Sequence, residues 1–190
     1  MELLDEEFLV LNQVDLRYVV DVRALSKVVG VKPERIEEIL SRLERLGYLR
    51  REEGGWTLTE KSKKIVRAHR RKLLKKLGEE GRKSLRKLNK RMEDAGFYLK
   101  YTVARHQLGA DGPLRILESM EEVHRELTAV INELSRLLPY FRIYLPRLEH
   151  ALLKIKEGDY LYIDWHPDSY HFVYFELHAD LLNYLREDEE

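Results

Sequence analysis

Several residue types and sequence features are missing from this chain of 190 residues. It contains no cysteine, which excludes disulfide bonds and metal sites built from thiolates. No apolar run approaches the roughly 20 residues of a membrane-spanning helix, and no Gly-rich phosphate loop or nucleophile elbow occurs. The acidic start of the chain lacks the basic segment of a secretory signal. We therefore expect a cytoplasmic protein that has no membrane partner and no cofactor and is not an enzyme.

Asparagine and glutamine are also scarce, whereas charged residues make up 36% of the chain. This balance is typical of proteins from thermophilic organisms. Apolar residues make up 44%, which is enough to bury a core in one or two domains of ordinary size.

The net charge is zero, but the charges are unevenly distributed. Residues 61–91 contain fifteen lysines and arginines and only two acids, whereas residues 1–60 and 92–190 are both net acidic. Such a basic segment favours binding to a polyanion, because neutralised phosphates release counterions. There are two alternatives: the segment pairs with the acidic C-terminal half, or it is simply a solvated helix face.

The first third of the chain predicts three helices. Residues 5–13 form the first, and the β-branched or aromatic residues 18–20 predict a short strand. Asp21 is a suitable N-cap for a second helix that ends at Gly30. Pro33 begins the third helix, which carries one apolar stripe.

A hairpin follows these helices. Residues 48–51 and 56–58 predict its two strands, and the paired glycines between them supply the backbone angles of a tight turn. Thr59 is then the predicted N-cap of the basic helix.

The segment "ALSKVVGVKPERIEEILSRLERLGYLRREEGGWTLTEKSKK" resembles the winged helix-turn-helix domain of transcription regulators of the MarR, PadR and ArsR type. The resemblance covers roughly residues 5–65. It implies that the helix from Pro33 to Leu46 enters the major groove of double-stranded DNA and that the hairpin reaches the minor groove or the backbone. The residues expected to contact DNA are Lys32, Arg35, Ser41, Arg42, Arg45, Arg50, Arg51, Arg67, Arg70 and Arg71.

Acidic residues on the same helix favour a different use of the domain. The helix carries Glu34, Glu37, Glu38 and Glu44, whose carboxylates would repel phosphates. Winged helices also serve as protein-interaction modules. The alternative is therefore an adaptor of the replication or transcription machinery with only nonspecific DNA contact.

The basic segment continues into an apolar repeat. Gly78 and Gly81 are expected to break or bend the helix. Beyond them, apolar residues recur at steps of three and four, which is typical of a coiled-coil seam. The seam predicts a homodimer, although packing against another helix of the same subunit would give the same pattern. The dimerisation residues are Leu85, Leu88, Met92 and Leu99.

The C-terminal half predicts a small α+β region. Asp111 is expected to cap a helix that has Pro113 near its start and ends at Pro139. A second apolar segment covers 142–155. Alternation in 160–165 and the aromatic run 172–177 predict two strands joined by a turn, before a final helix.

This region is rich in aromatic residues, with 11 of the 18 in the chain lying in 140–190. They either form the core or line an effector pocket made by Tyr144, Trp165, Tyr170 and Tyr174. His166 and His171 are weak candidates for metal ligands, since no spacing places two histidines on one face, and we expect no metal.

The predicted fold is therefore mainly α with a small β component, in three parts. A winged helix-turn-helix domain occupies residues 1–60, a basic linker and dimerisation helix 61–110, and an effector or interaction domain 111–190. The predicted function is that of a homodimeric, sequence-specific regulator of transcription that responds to a small molecule or a protein.

Overall fold

The computed structural model describes residues 5–17 and 20–189. These residues form eight α-helices, one 3₁₀ helix and one two-stranded antiparallel sheet. The elements are α1 (Asp5–Arg17), α2 (Val22–Val29), α3 (Pro33–Arg45), β1 (Leu49–Glu52), β2 (Gly55–Leu58), α4 (Glu60–Gln107), α5 (Pro113–Leu137), the 3₁₀ helix Pro139–Ile143, α6 (Tyr144–Lys156), α7 (Leu161–Asp164) and α8 (Tyr170–Glu189). The fold is thus mainly helical, as predicted.

The chain divides into two compact units. The first comprises Met1–Lys76 together with Arg186–Glu190, and the second comprises Leu77–Leu185. These limits differ from the predicted boundaries near residues 60 and 110, because α4 contributes its first part to one unit and its remainder to the other.

In the first unit, α1, α2 and α3 pack around an apolar core. The apolar stripe of α3 faces this core, and its members Ile36, Ile39, Leu40 and Leu43 are buried. The hairpin joins the helices through an isolated bridge between Val20 and Trp56. Tyr18 and Val19, the rest of the predicted short strand, lie outside the described residues.

The bridge requires a glycine beside it. Gly55 has a φ of +150°, and a Cβ atom there would lie 2.2 Å from the carbonyl oxygen of Val20. Only a residue without a side chain permits this close approach of the two backbones. The pairing of β1 with β2 sets Arg51 opposite Trp56.

The first part of α4 is attached to α1 by polar and aromatic contacts. Arg70 is 3% exposed, and its Nη2 donates to Asn12 Oδ1 at 2.6 Å and to Asp15 Oδ2 at 3.0 Å. The ring of His69 stacks on Phe8 at 4.1 Å. One face of the basic segment therefore belongs to the interior of the first unit.

A break interrupts α4 at Gly78, whose φ of 65° and ψ of −172° are not helical. The sequence predicted a break or bend around Gly78 and Gly81, and Gly78 is where it occurs. Gly81 remains inside the helix and is buried.

The regular secondary structure of the second unit is entirely helical over the residues described. Tyrosines fill much of its core, and Tyr144, Tyr170, Tyr174 and Tyr184 are each 1% exposed or less. The predicted strands at 160–165 and 172–177 are wrong, because 161–164 is a short helix and 170–189 is a long one. Buried residues of α8 recur at steps of three and four, which is the period of a helix.

The predicted dimer seam packs inside the second unit. Leu85, Leu88, Met92 and Leu99 are each 4% exposed or less within a single chain. Because these side chains are already covered, the stripe has no free surface for a second copy. Packing within one subunit, the alternative interpretation of the pattern, accounts for it.

The start of α5 also differs from the prediction. Gly112, not Asp111, is the N-cap residue, and no side chain caps the helix. Asp111 instead accepts two hydrogen bonds from Arg105, at 2.5 and 2.7 Å.

None of the helices in the described ranges combines the length and the apolar character that crossing a bilayer requires.

Candidate nucleic-acid interface

The turn between α2 and α3 orients α3. Asp21 Oδ1 accepts from the backbone N–H of Ala24 at 2.8 Å and caps α2, as predicted. Gly30 ends α2 in the left-handed conformation, and Ser26 Oγ donates to the carbonyl of Val31 at 2.7 Å. Pro33 then begins α3 at a position where its missing N–H has no cost.

The face of α3 opposite the core is exposed. Ser41, Arg42 and Arg45 lie at helical spacing on this face, and Lys32 precedes the helix. Lys32 and Arg45 form no ion pair with any residue that the structure describes. This outward surface of α3 thus has two cations that are available to a ligand without breaking an existing contact.

The other two arginines of this surface are paired with carboxylates. Arg35 contacts Glu6 and Glu38, each at 2.9 Å, and these hydrogen bonds raise the pKa of its guanidinium. Nε of Arg42 lies 3.2 Å from Oε1 of Glu7, whose side chain is buried. A DNA phosphate or base would have to replace these partners.

The hairpin presents two further arginines. Arg50 pairs with Glu52 at 2.6 Å, and Arg51 lies over the ring of Trp56 at 4.4 Å. Both guanidinium side chains are at least 65% exposed. The tip that follows them is acidic, since it contains Glu52 and Glu53.

The basic part of α4 is not uniform. Arg70 is buried and hydrogen-bonded to α1, so the prediction that it contacts DNA is wrong. Arg67 and Arg71 are exposed, but both contact the carboxylate of Glu187 near the end of the chain, at 3.6 and 2.6 Å. Pairing with the acidic C-terminal half was one of the alternatives for this segment, but the sequence did not identify Glu187 as the partner, because more than a hundred residues separate it from both arginines.

Three lysines in the part of this segment that belongs to the first unit are accessible cations. Lys64, Lys75 and Lys76 are exposed and form no ion pair within the described part of the chain. They extend the positive surface beyond α3 and the hairpin.

The predicted effector pocket in the second unit is not formed. Tyr144, Tyr170 and Tyr174 are core residues, whereas Trp165 is 71% exposed. Tyr144 donates to Asp180 Oδ2 at 2.9 Å, and Tyr174 donates to the carbonyl of Met92 at 3.2 Å. The three tyrosines therefore serve packing, which was the other interpretation of the abundance of aromatic residues.

The two candidate metal ligands do not form a site. Nδ1 of His166 accepts from the backbone of Asp168 at 3.0 Å, and its ring stacks on Tyr162. The ring of His171 packs against Phe175. No group of three potential metal ligands occurs among the residues described.

A cavity that the sequence did not predict lies between α5 and the second part of α4. Its volume is about 750 Å³, and its lining includes Phe97, Tyr98 and Tyr101. The signal for it was present, since these aromatic residues recur at helical spacing on the side of α4 opposite the buried stripe.

The chain was compared with known proteins at three levels. No family model, no curated protein and no solved structure shows a significant match to it.

Proposed function

We propose that this protein binds double-stranded DNA as a homodimer and regulates transcription. The observation that carries the proposal is the exposed surface of α3, where Ser41, Arg42 and Arg45 lie on one face. The exposed hairpin arginines Arg50 and Arg51 belong to the same unit. The resemblance of this segment to winged helix-turn-helix regulators supports the same conclusion.

The chemistry of these groups suits the two parts of DNA recognition. A guanidinium can donate to O6 and N7 of guanine together, so Arg45 and Arg42 are the proposed base-reading residues. Arg50, Arg51 and Lys32 are the proposed phosphate contacts, which position α3 in the major groove without reading sequence. Arg35 is assigned a smaller role, because two carboxylates hold it.

The accessible lysines of α4 strengthen this binding electrostatically. Lys64, Lys75 and Lys76 would each add a phosphate contact. Each contact on duplex DNA makes the negative slope of log affinity against log salt steeper by about 0.9. Such contacts raise affinity for every sequence equally. A cytoplasmic location is part of the same proposal.

The experiment measures the affinity of the full chain for two duplexes across a range of salt. One duplex comes from the region upstream of the protein's own gene, and the other is its scrambled counterpart. A sequence-reading regulator prefers the first by about a thousandfold or more. Failure to bind either duplex at low salt would contradict DNA binding altogether.

Variants then test whether the arginines of α3 read the bases. Arg42→Ala with Arg45→Ala removes the preference between the duplexes, since each base-reading arginine contributes about 1–3 kcal/mol. Arg136→Ala is the matched control, because Arg136 is an exposed arginine of the second unit. If the control changes the preference as much as the double variant, α3 does not read the bases.

A protein-interaction module is the second candidate, and the carboxylates of α3 favour it. Glu38 already holds Arg35, and Glu34 and Glu37 are exposed beside them. Glu38→Gln separates the two functions. It strengthens DNA binding by removing a charge that repels phosphate, whereas it weakens the binding of a basic protein partner.

A further inference from the structure

The second part of α4 carries exposed aromatic rings, one of which, that of Tyr101, contacts Arg105 on the same helix. Phe97, Tyr98 and Tyr101 are 68, 64 and 56% exposed, and Leu108, seven residues after Tyr101, is 81% exposed. We call this set the aromatic face. Its aromatic members lie on the side of α4 opposite the buried stripe that contains Met92 and Leu99, and Leu108 directly follows the end of the helix. Contiguous exposed apolar surface of this kind marks an interaction site in soluble proteins.

A groove adjoins the aromatic face. It is the cavity of about 750 Å³ between α4 and α5, and Ala95 and Val123 contribute apolar atoms to its lining. Phe97 and Tyr98 form its edge and pack edge to face, with ring centroids 5.8 Å apart. The same surface therefore has both projecting aromatic rings and a space large enough to receive such rings.

We propose that the aromatic face is the dimer interface and that its occupant is the aromatic face of a second copy of this chain. A twofold interface places one patch against itself, so the patch must be self-complementary. Rings that project beside a groove meet this requirement, since the rings of each copy enter the groove of the other. The inference rests on the homodimeric part of the proposed function.

Charges around the groove favour a second copy over a partner of one charge sign. Asp94 and Glu122 on its border are acidic, and Arg125 is basic. None of the three forms an ion pair within the described residues. In a twofold contact, an acid of one copy meets Arg125 of the other, and symmetry repeats the pair. A nucleic acid would require a basic border.

The exposed area is consistent with a stable contact. A buried aromatic side chain covers about 150–250 Å², so six partly exposed rings from two copies supply roughly 500–900 Å². Leu108 and the charged border supply the remainder of the about 1,200–2,000 Å² that specific interfaces bury. Aromatic residues are also the side chains that contribute most to such interfaces.

The experiment is sedimentation equilibrium of the full chain without DNA, with Phe97→Glu and Tyr98→Glu as test variants. The wild type sediments at twice the chain mass of 22.7 kDa. Each variant raises the dissociation constant of the dimer by about a hundredfold or more, because it places a charge in the apolar centre of the contact. Trp165→Glu is the matched control, since Trp165 is as exposed but lies elsewhere in the second unit.

Single cysteines give a second measurement that keeps the aromatic rings in place. The chain has no cysteine, so Ser119→Cys, on the lining of the groove, introduces the only thiol. With a bifunctional maleimide at low protein concentration, Ser119→Cys forms a cross-linked dimer, and Trp165→Cys does not. Circular dichroism of each variant verifies that it is folded, and the cysteine pair decides the matter if a glutamate variant unfolds.

Three results would overturn the proposal. A monomeric wild type would do so, and so would a dimer that persists in both folded glutamate variants. The third is capture of a small molecule or a different protein by the aromatic face of a monomer. Because sedimentation is measured without DNA, a failure here leaves the DNA affinity of the wild type as a separate result.

Discussion

The two units satisfy their buried polar groups in different ways. In the first unit, an ionised guanidinium is buried, and Arg70 is held by Asn12 and Asp15. In the second unit, the largest buried polar side chains are tyrosines, of which Tyr144 and Tyr174 donate to acceptors in the core. Arg147 is also buried there, and it pairs with Glu176. Charge pairs lose much more than neutral hydrogen bonds when one partner is removed. The surroundings of Arg70 in the first unit should therefore be sensitive to loss of charge, and the second unit, apart from Arg147, to changes of shape and of pH.

The largest expected effect is that of Arg70→Ala. Removing this side chain leaves the partly buried carboxylate of Asp15 without its cation, which costs about 3–5 kcal/mol in the free energy of unfolding. Urea denaturation measures the change. Lys64→Ala on the same helix is the control, and it should change stability by less than about 0.5 kcal/mol. Equal effects of the two would show that burial of the Arg70 charge has no special weight in the stability of the first unit.

Gly96→Ala tests the packing of the second unit. A Cβ atom at Gly96 would lie 1.8 Å from the hydroxyl oxygen and 2.3 Å from Cζ of Tyr174. Overpacking of this kind costs about 1–3 kcal/mol. Tyr174→Phe in the same chain removes the hydroxyl, so it should recover part of the loss but not all of it. A neutral Gly96→Ala variant would mean that the tyrosine moves freely.

Glu187→Gln tests whether the acidic end of the chain limits DNA binding. The substitution removes the charge that Arg67 and Arg71 contact, so the potential that this face of α4 presents to phosphates becomes more positive. We expect a gain in duplex affinity of about threefold to tenfold at low salt, together with a steeper salt dependence. Glu157→Gln, which removes an exposed carboxylate of the second unit, should leave the affinity unchanged. A loss of affinity would show that Glu187 mainly orders α4.

The smallest expected effect is a pH dependence located in the second unit. Burial lowers the pKa of His124, His171 and His178, and nearby carboxylates oppose the shift less strongly. The unfolded chain therefore binds protons more readily than the folded one, so stability present above about pH 6.5 is lost as the pH falls. The urea midpoint should decrease between about pH 7.5 and 5.5, and His171→Gln with His178→Gln should flatten this dependence.

Local signals predicted the first unit well. A capping aspartate, a glycine after a helix and a proline before the next one act within a few residues, and Asp21, Gly30 and Pro33 all occupy the expected positions. The fate of Arg70 was not predictable, because its partners lie 55 and 58 residues away in sequence. The roles of the α3 arginines in DNA binding remain predictions.

The second unit shows where local preference misleads. Aromatic and β-branched residues favour strands, and this preference suggested a strand at 172–177. The helical period was nevertheless present, since Tyr170, Val173, Tyr174 and Leu177 share one buried face of α8. Tertiary burial of that face outweighs the intrinsic preference. The groove beside the aromatic face was not predictable from the sequence, because it forms only where α4 and α5 lie side by side in the folded chain.

The two tryptophans of the chain lie in contrasting surroundings. Trp56 is 6% exposed at the base of the hairpin in the first unit, and Trp165 is 71% exposed in the second. An indole in water emits at longer wavelength than a buried one. The emission wavelength of Trp165 in the folded protein is therefore already close to that of a tryptophan in the unfolded chain. A red shift of the emission on denaturation therefore reports the opening of the first unit alone, and no extrinsic dye is needed to follow it.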